Sequence, residues 1–194
     1  MIPLFTLATF VGAFLTFLLE LLVAKMILPF FGGTPSVWST CVLFFQAMLL
    51  AGYGYSHLLG SATRWRRLVV AHVALVGVAL LVLPVRIGAD WAPPAGAVPV
   101  VWQSWLLLAT AGLPFFAVAA TTPLVQRWLS RTGHPAGKDP YHLYAASNLG
   151  SLLALLAYPL GIEPAFDLER VSRLWQGGYI LLLLLVGACG ACAM

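Results

Sequence analysis

Charge is what this sequence has least of. Asp, Glu, Lys and Arg make up 8% of it, against 61% hydrophobic residues. A soluble domain carries roughly a quarter charged residues, because its surface must be covered with groups that water solvates. So few charges exclude a water-facing surface over most of the chain and leave lipid as its solvent, in keeping with a mean hydropathy of +0.96. Also missing is the apolar/polar alternation over about ten residues that marks a membrane barrel strand. The apolar runs are unbroken and about twenty residues or longer, which is the helical solution to satisfying the backbone in lipid. The three cysteines, Cys41, Cys189 and Cys192, are too few for a disulfide framework. A P-loop, a dinucleotide glycine fingerprint, H-E-x-x-H and G-x-S-x-G are all lacking, which removes the common soluble catalytic motifs. No basic stripe interleaved with aromatics exists, so the net charge of +4 does not point to nucleic acid. The N-terminal MIPLFTLATF has no basic leader segment and no cleavage site after its apolar run, and reads as a retained first helix.

What is present is an all-α, polytopic membrane bundle of about six transmembrane helices forming a single domain over residues 1–194. The runs and their breakers predict helices over approximately 3–29, 36–59, 68–85, 100–125, 140–161 and 173–194. Gly32-Gly33 ends the first, and Thr34-Pro35 reads as a cap followed by proline in the first turn. Asp139-Pro140 reads the same way. The loops after the second and fourth helices hold Arg64, Arg66, Arg67, Arg127, Arg131 and Lys138, six of the ten basic residues. The opposite loops hold Arg86, Arg170 and Arg173, diluted by Asp90, Glu163, Asp167 and Glu169. The positive-inside rule then places both termini in the cytoplasm. All seven tryptophans fall near predicted helix ends, where interfacial belts favour them: Trp38, Trp91, Trp102, Trp105 and Trp175 on the outer side, Trp65 and Trp128 on the inner.

Chemistry in such a chain concentrates where polar groups enter the apolar runs. Glu20 lies inside the first helix, and an ionised acid near the bilayer centre costs roughly 2.5–3.5 kcal/mol on insertion scales. Such a group faces a bundle interior, finds a partner or is protonated. Lys25 lies about 140° around the helix at 100° per residue, a poor pairing angle, and nearer the outer end where it can snorkel. Gln46 matches Glu20 in depth, each about 13 Å from the outer end of its helix. The pair reads either as a proton- or cation-coupled site or as a structural interhelical hydrogen bond. Asn148 accompanies Ala146, Gly150 and Ala154, a small-residue stripe at every fourth position that lets a neighbouring helix approach closely; packing is the favoured role. His57 and His72, near the cytoplasmic ends of the second and third helices, are weak candidates to share a metal or haem. Cys189 and Cys192 form C-x-x-C without the two further ligands of a zinc site or the His of covalent haem, so no cofactor is expected.

Three segments resemble a known family. ELLVAKMILPFFGGTPSVWST (residues 20–40), the glycines Gly52, Gly54 and Gly60 followed by Arg64-Trp65-Arg66-Arg67, and YHLYAASNLGSLLALLAYPLGIEP (residues 141–164) resemble the membrane part of the fused major-facilitator/spermidine-synthase-like membrane proteins of bacteria. The acid usual in the loop after the second helix of that pattern is lacking here. The resemblance implies a bacterial inner-membrane location. In that family the membrane part commonly precedes a cytoplasmic domain resembling aminopropyltransferases. Residues 1–194 contain no such domain, so the resemblance brings no spermidine-synthase activity to them. Three expectations follow. The first is a membrane module of a larger assembly, with other membrane subunits or a second copy as partners and no catalytic site of its own. The second is a small transporter or half-transporter for a cationic or amine solute using Glu20. The third is a haem- or metal-binding membrane subunit.

Overall fold

The structure, a computed structural model, describes residues 1–61, 65–137 and 139–194, with the backbone alone at 59–61 and 65. Arg64, Lys138 and the side chains of Gly60's neighbours and Trp65 therefore lie outside the described residues. The chain forms an all-α bundle, with no strand among the described residues. We number its helices α1 (Ile2–Phe31), α2 (Pro35–Ser61), α3 (Trp65–Val78), α4 (Pro99–Arg131), α5 (Tyr141–Ala165) and α6 (Leu168–Ala193). Five of them, all but α3, are long and apolar enough to cross a membrane, the pattern of a multi-pass membrane protein.

α3 is shorter but covers the same height. A 3-10 stretch, Ala79–Val82, extends it, and 14 α-helical plus 4 tighter residues give about 29 Å at 1.5 and 2.0 Å per residue. Its contacts with α6 confirm the traverse. Gly190 lies against Val69, the Tyr179 hydroxyl donates to the Val76 carbonyl at 3.0 Å, and the Ser172 hydroxyl donates to the Val85 carbonyl at 2.6 Å. The third segment thus runs antiparallel to α6 from one end of the bundle to the other. α6 is also antiparallel to α1, since Gly178 and Trp175 meet Leu15 while Leu182 meets Gly12. Both termini therefore lie at one end, here called the termini end.

The elements depart from the sequence expectation where local polarity masks helix. α4 runs on to Arg131, well past the boundary expected near residue 125. Gln126, Arg127 and Arg131 are polar, yet this turn still buries Trp128 and Leu129, so it is amphipathic helix rather than loop. α6 starts at Leu168 rather than near residue 173, because Asp167 caps it, accepting from the Arg170 amide at 2.7 Å. α4 and α5 each contain one π-helical turn, Leu108–Gly112 and Tyr158–Ile162. Proline follows within two residues of each, Pro114 and Pro164, and a missing N–H with a ring against the preceding carbonyl favours such local widening.

Without a hydrophobic force between helices in lipid, close packing of small residues holds a bundle together. Here α1 is central, packed on α4, α5 and α6, while α2 packs chiefly along α4. Each contact has its glycine. A Cβ at Gly150 on α5 would collide with the Phe10 carbonyl oxygen of α1 and sit 3.2 Å from the Phe14 nitrogen. One at Gly52 on α2 would sit 3.1 Å from the Ala120 nitrogen of α4, and one at Gly178 on α6 would sit 2.9 Å from Leu15. Two tryptophans expected at the interface are instead in the core. Trp175 is buried two turns into α6, its indole N–H donating to the Leu15 carbonyl at 2.8 Å, and Trp128 is buried against His72. Trp38 and Trp105 are exposed near the far end, and Trp102 donates to the Trp91 carbonyl at 3.0 Å.

Candidate functional site

Helices that pack through glycine on two or three sides leave space where they diverge. α1, α2, α4 and α5 surround a cleft of about 440 Å³ at mid-height. α2 and α5 form its lips. Its walls carry Ala13, Thr16 and Phe17 of α1, Leu49 and Tyr53 of α2, Ala119 and Thr122 of α4, and Ser147, Asn148, Ser151, Leu152 and Leu155 of α5. Six of these residues bear a hydroxyl or amide, which is unusual company inside an apolar bundle, where polar side chains are costly unless partnered.

Few of them are partnered across helices. The Thr16 hydroxyl donates to the Gly12 carbonyl of its own helix at 2.9 Å, and that of Ser151 to Ser147 at 3.0 Å. These back-bonds satisfy a proton and leave the oxygen's lone pairs facing the cleft. Asn148 is exposed, midway between Ala146 and Gly150 of the packing stripe and so turned away from it; it lines the cleft rather than the α1 contact. Ala146, Gly150 and Ala154 are buried, with Gly150 at the close approach to α1 already described.

Glu20 lies on the cleft-lining face of α1. Residues 13, 16, 17 and 20 follow the i, i+3, i+4, i+7 spacing of one helical stripe, and Glu20 stands one turn beyond Phe17 toward the far end. Its Oε1 is buried and has no hydrogen-bond partner. The matching residue on α5 is Tyr158. Gly150 packs between Phe10 and Phe14, so it is level with residue 12, and thirteen residues further along both helices Lys25 bonds Glu163 at 2.5 Å. α1 and α5 are therefore parallel and in constant register, and Glu20 and Tyr158 each lie eight residues past the Gly150 contact. The Tyr158 hydroxyl is likewise buried without a partner. Two unsatisfied oxygens thus stand at one height on neighbouring helices, beyond the residues that line the cleft.

The partners expected for Glu20 are engaged elsewhere or absent. Lys25 is paired with Glu163, which its angle around α1 allows and its angle to Glu20 does not. Gln46 continues the cleft-lining face of α2, three and seven residues before Leu49 and Tyr53, but it is exposed and no hydrogen bond joins it to Glu20. Matching depth is not proximity here: α4 stands between α1 and α2, which touch little beyond their shared turn. His57 and His72 are also separated in character. His57 is exposed, whereas His72 is fully buried. The Thr121 hydroxyl gives its proton to the Ala117 carbonyl at 2.7 Å, so the His72 Nε2–H donates to Thr121 Oγ1 at 3.0 Å. Among the described residues no group of three or more His, Cys, Asp or Glu is arranged to hold a metal ion.

Sequence reasoning missed Thr16, Tyr53, Thr122, Ser147, Ser151 and Tyr158. A signal existed for α1, where Thr9, Thr16 and Glu20 fall on one stripe of a largely apolar helix. None of the known protein families, curated proteins or solved structures compared with this chain matches it.

Proposed function

We propose that this chain is a solute-binding membrane module, one half of a transporter-type assembly whose other half is a second copy or another membrane subunit. The observation that carries this reading is the polar cleft: six hydroxyl- or amide-bearing residues line about 440 Å³ at mid-height among α1, α2, α4 and α5. A purely structural bundle gains nothing from leaving such groups without partners in other helices, since each unsatisfied polar atom away from water costs free energy. A guest with its own donors and acceptors supplies what the helices do not. The open side of the cleft, between α2 and α5, is where the other half completes the enclosure.

The same reading places the module in the bacterial cytoplasmic membrane. Arg66, Arg67, Arg127 and Arg131 gather at the termini end, while the acids Asp90, Glu163, Asp167 and Glu169 lie at the far end; with the positive-inside rule this sets both termini in the cytoplasm. The resemblance of residues 20–40 and 141–164 to the membrane part of the spermidine-synthase-like fusions is compatible with it. The test is solute flux in proteoliposomes, using protein extracted with its natural partners. Ser151→Leu, which fills the cleft from the α5 lip, abolishes uptake of polar solutes; uptake that is unaffected, or absent across a broad panel of solutes, contradicts the reading.

A further inference from the structure

The cleft is not polar throughout, and the register of its helices shows how the lining is divided. Gly150 of α5 packs between Phe10 and Phe14 of α1, and Glu163 stands opposite Lys25. Along this parallel pair Ser147, Asn148 and Ser151 are level with residues 9, 10 and 13 of α1, and Leu155 is level with Phe17. α2 and α4 run the other way. Thr122 Oγ1 lies 3.2 Å from where a Cβ on Gly12 would stand, and Gly52 of α2 packs on Ala119 and Ala120 of α4. Tyr53 therefore falls at about the height of residue 13, and Leu49 at about that of Phe17.

Five of the six polar lining residues, Tyr53, Thr122, Ser147, Asn148 and Ser151, thus form a band on the side of the termini end. The band spans the heights of residues 9 to 13, about 6 Å at 1.5 Å per residue. One turn further toward the far end, Phe17, Leu49 and Leu155 make an apolar band. Thr16 carries a hydroxyl there, with its proton held by the Gly12 carbonyl at 2.9 Å.

Among the described residues that line the cleft, none is Asp, Glu, Lys, Arg or His. A charged guest would leave water here without meeting a counter-charge, which is costly in an apolar bundle. The polar band offers donors and acceptors together. Ser151 Oγ accepts, its proton being committed to the Ser147 carbonyl at 3.0 Å, while the Asn148 amide both donates and accepts. Hydroxyl groups, which donate and accept from one atom, match such a band.

We infer that the cleft takes an uncharged solute with a polyhydroxylated head and a short apolar tail. The head lies among Tyr53, Thr122 and Asn148, toward the termini end, and the tail lies against Phe17, Leu49 and Leu155. This rests on the reading of the cleft as a solute site and adds the class of solute and its orientation.

The test uses protein extracted with its natural partners into lipid nanodiscs, with calorimetry as the readout and empty nanodiscs as the control for partition into lipid. The probes are ethyl glucoside, glucose without the tail, and two charged analogues: ethyl glucuronide, with a carboxylate, and ethyl glucosaminide, with an ammonium. Ethyl glucoside binds. Both charged analogues bind at least tenfold more weakly, the penalty of a charge left unpaired among helices. Glucose binds about tenfold more weakly than ethyl glucoside, the share of two buried carbons. Asn148→Ala weakens ethyl glucoside and glucose alike, about fivefold, one neutral hydrogen bond's share. Leu155→Ser weakens ethyl glucoside about fourfold and leaves glucose unchanged, because it touches only the tail. A charged analogue that binds as tightly as ethyl glucoside overturns the inference and leaves the cleft a solute site. Ethyl glucoside and glucose binding equally, with Leu155→Ser affecting neither, overturns the division into head and tail. If no probe binds while the flux panel passes other solutes, the inference falls and the solute-site reading stands; if the flux panel is silent too, both fall. The comparison of probes on the unaltered protein needs no variant to fold.

Discussion

Polar side chains are handled in opposite ways in the packed seams of α4 and in the cleft beside it. In the seams they bond across helices: toward α2, Ser56 donates to the Ala120 carbonyl and Gln103 to that of Val37, and the seams toward α3 and α6 do the same. His72 donates to Thr121, Tyr179 to Val76 and Ser172 to Val85, and on the neighbouring α1–α6 contact Trp175 donates to Leu15. On the cleft side, Thr16 and Ser151 bond only their own helices, and beyond its lining Glu20 and Tyr158 bond nothing. Adjacent residues show the divide. Thr121 is buried and bonded to α3, whereas Thr122 is half-buried and lines the cleft. The first side holds the fold together and the second leaves chemistry available. Within the seams His72 Nδ1 is nonetheless buried without a partner, while its Nε2 ties α3 to α4.

This contrast predicts how substitutions sort. The largest effect belongs to Trp175→Ala, which empties a fully buried site and breaks the bond to Leu15; it costs about 3 kcal/mol, read as a lowered thermal midpoint in detergent. Gly150→Ala follows, at about 1–3 kcal/mol, because the obstacle is the Phe10 backbone and not a side chain that can swing away. Ser172→Ala and Tyr179→Phe each cost about 0.6 kcal/mol, the average for an interhelical hydrogen bond in a membrane protein. Asn148→Ala and Glu20→Gln come last, with stabilities within about 0.5 kcal/mol of the parent, as for sites with no partner to lose. A loss of 1 kcal/mol or more at Glu20→Gln would erase the distinction, because Glu20 would then be part of the structural bonding.

The helices were legible because lipid imposes long apolar runs, and five of the six are plain in composition. α3 was legible as a run but not as a geometry: only its contacts from Val69 to Val85 show that a 14-residue helix with a 3-10 extension covers the full height. Trp175 sits at a helix end only if the sixth helix starts at residue 173; the Asp167 cap starts α6 at Leu168 and puts Trp175 level with Leu15. At the candidate site the acid itself was legible, since a charge within an apolar helix stands out in any reading. Its surroundings were not. Depth along a helix can be counted from sequence, but which helices are neighbours cannot, so Gln46 and Glu20 share a height although α4 packs between their helices. Tyr158 emerges only from the register of α1 on α5, fixed by Gly150 and by the Lys25–Glu163 pair.

The sharpest test of the divide is the water accessibility of the two adjacent threonines. With Cys41, Cys189 and Cys192 replaced by alanine, Thr121→Cys and Thr122→Cys are compared for reaction with a small, charged, membrane-impermeant methanethiosulfonate. The account predicts that Thr122→Cys reacts readily from within a hydrated cleft while Thr121→Cys, one residue away at the same depth, stays unmodified. Equal reactivity at the two positions, or an inert Thr122→Cys, would contradict it.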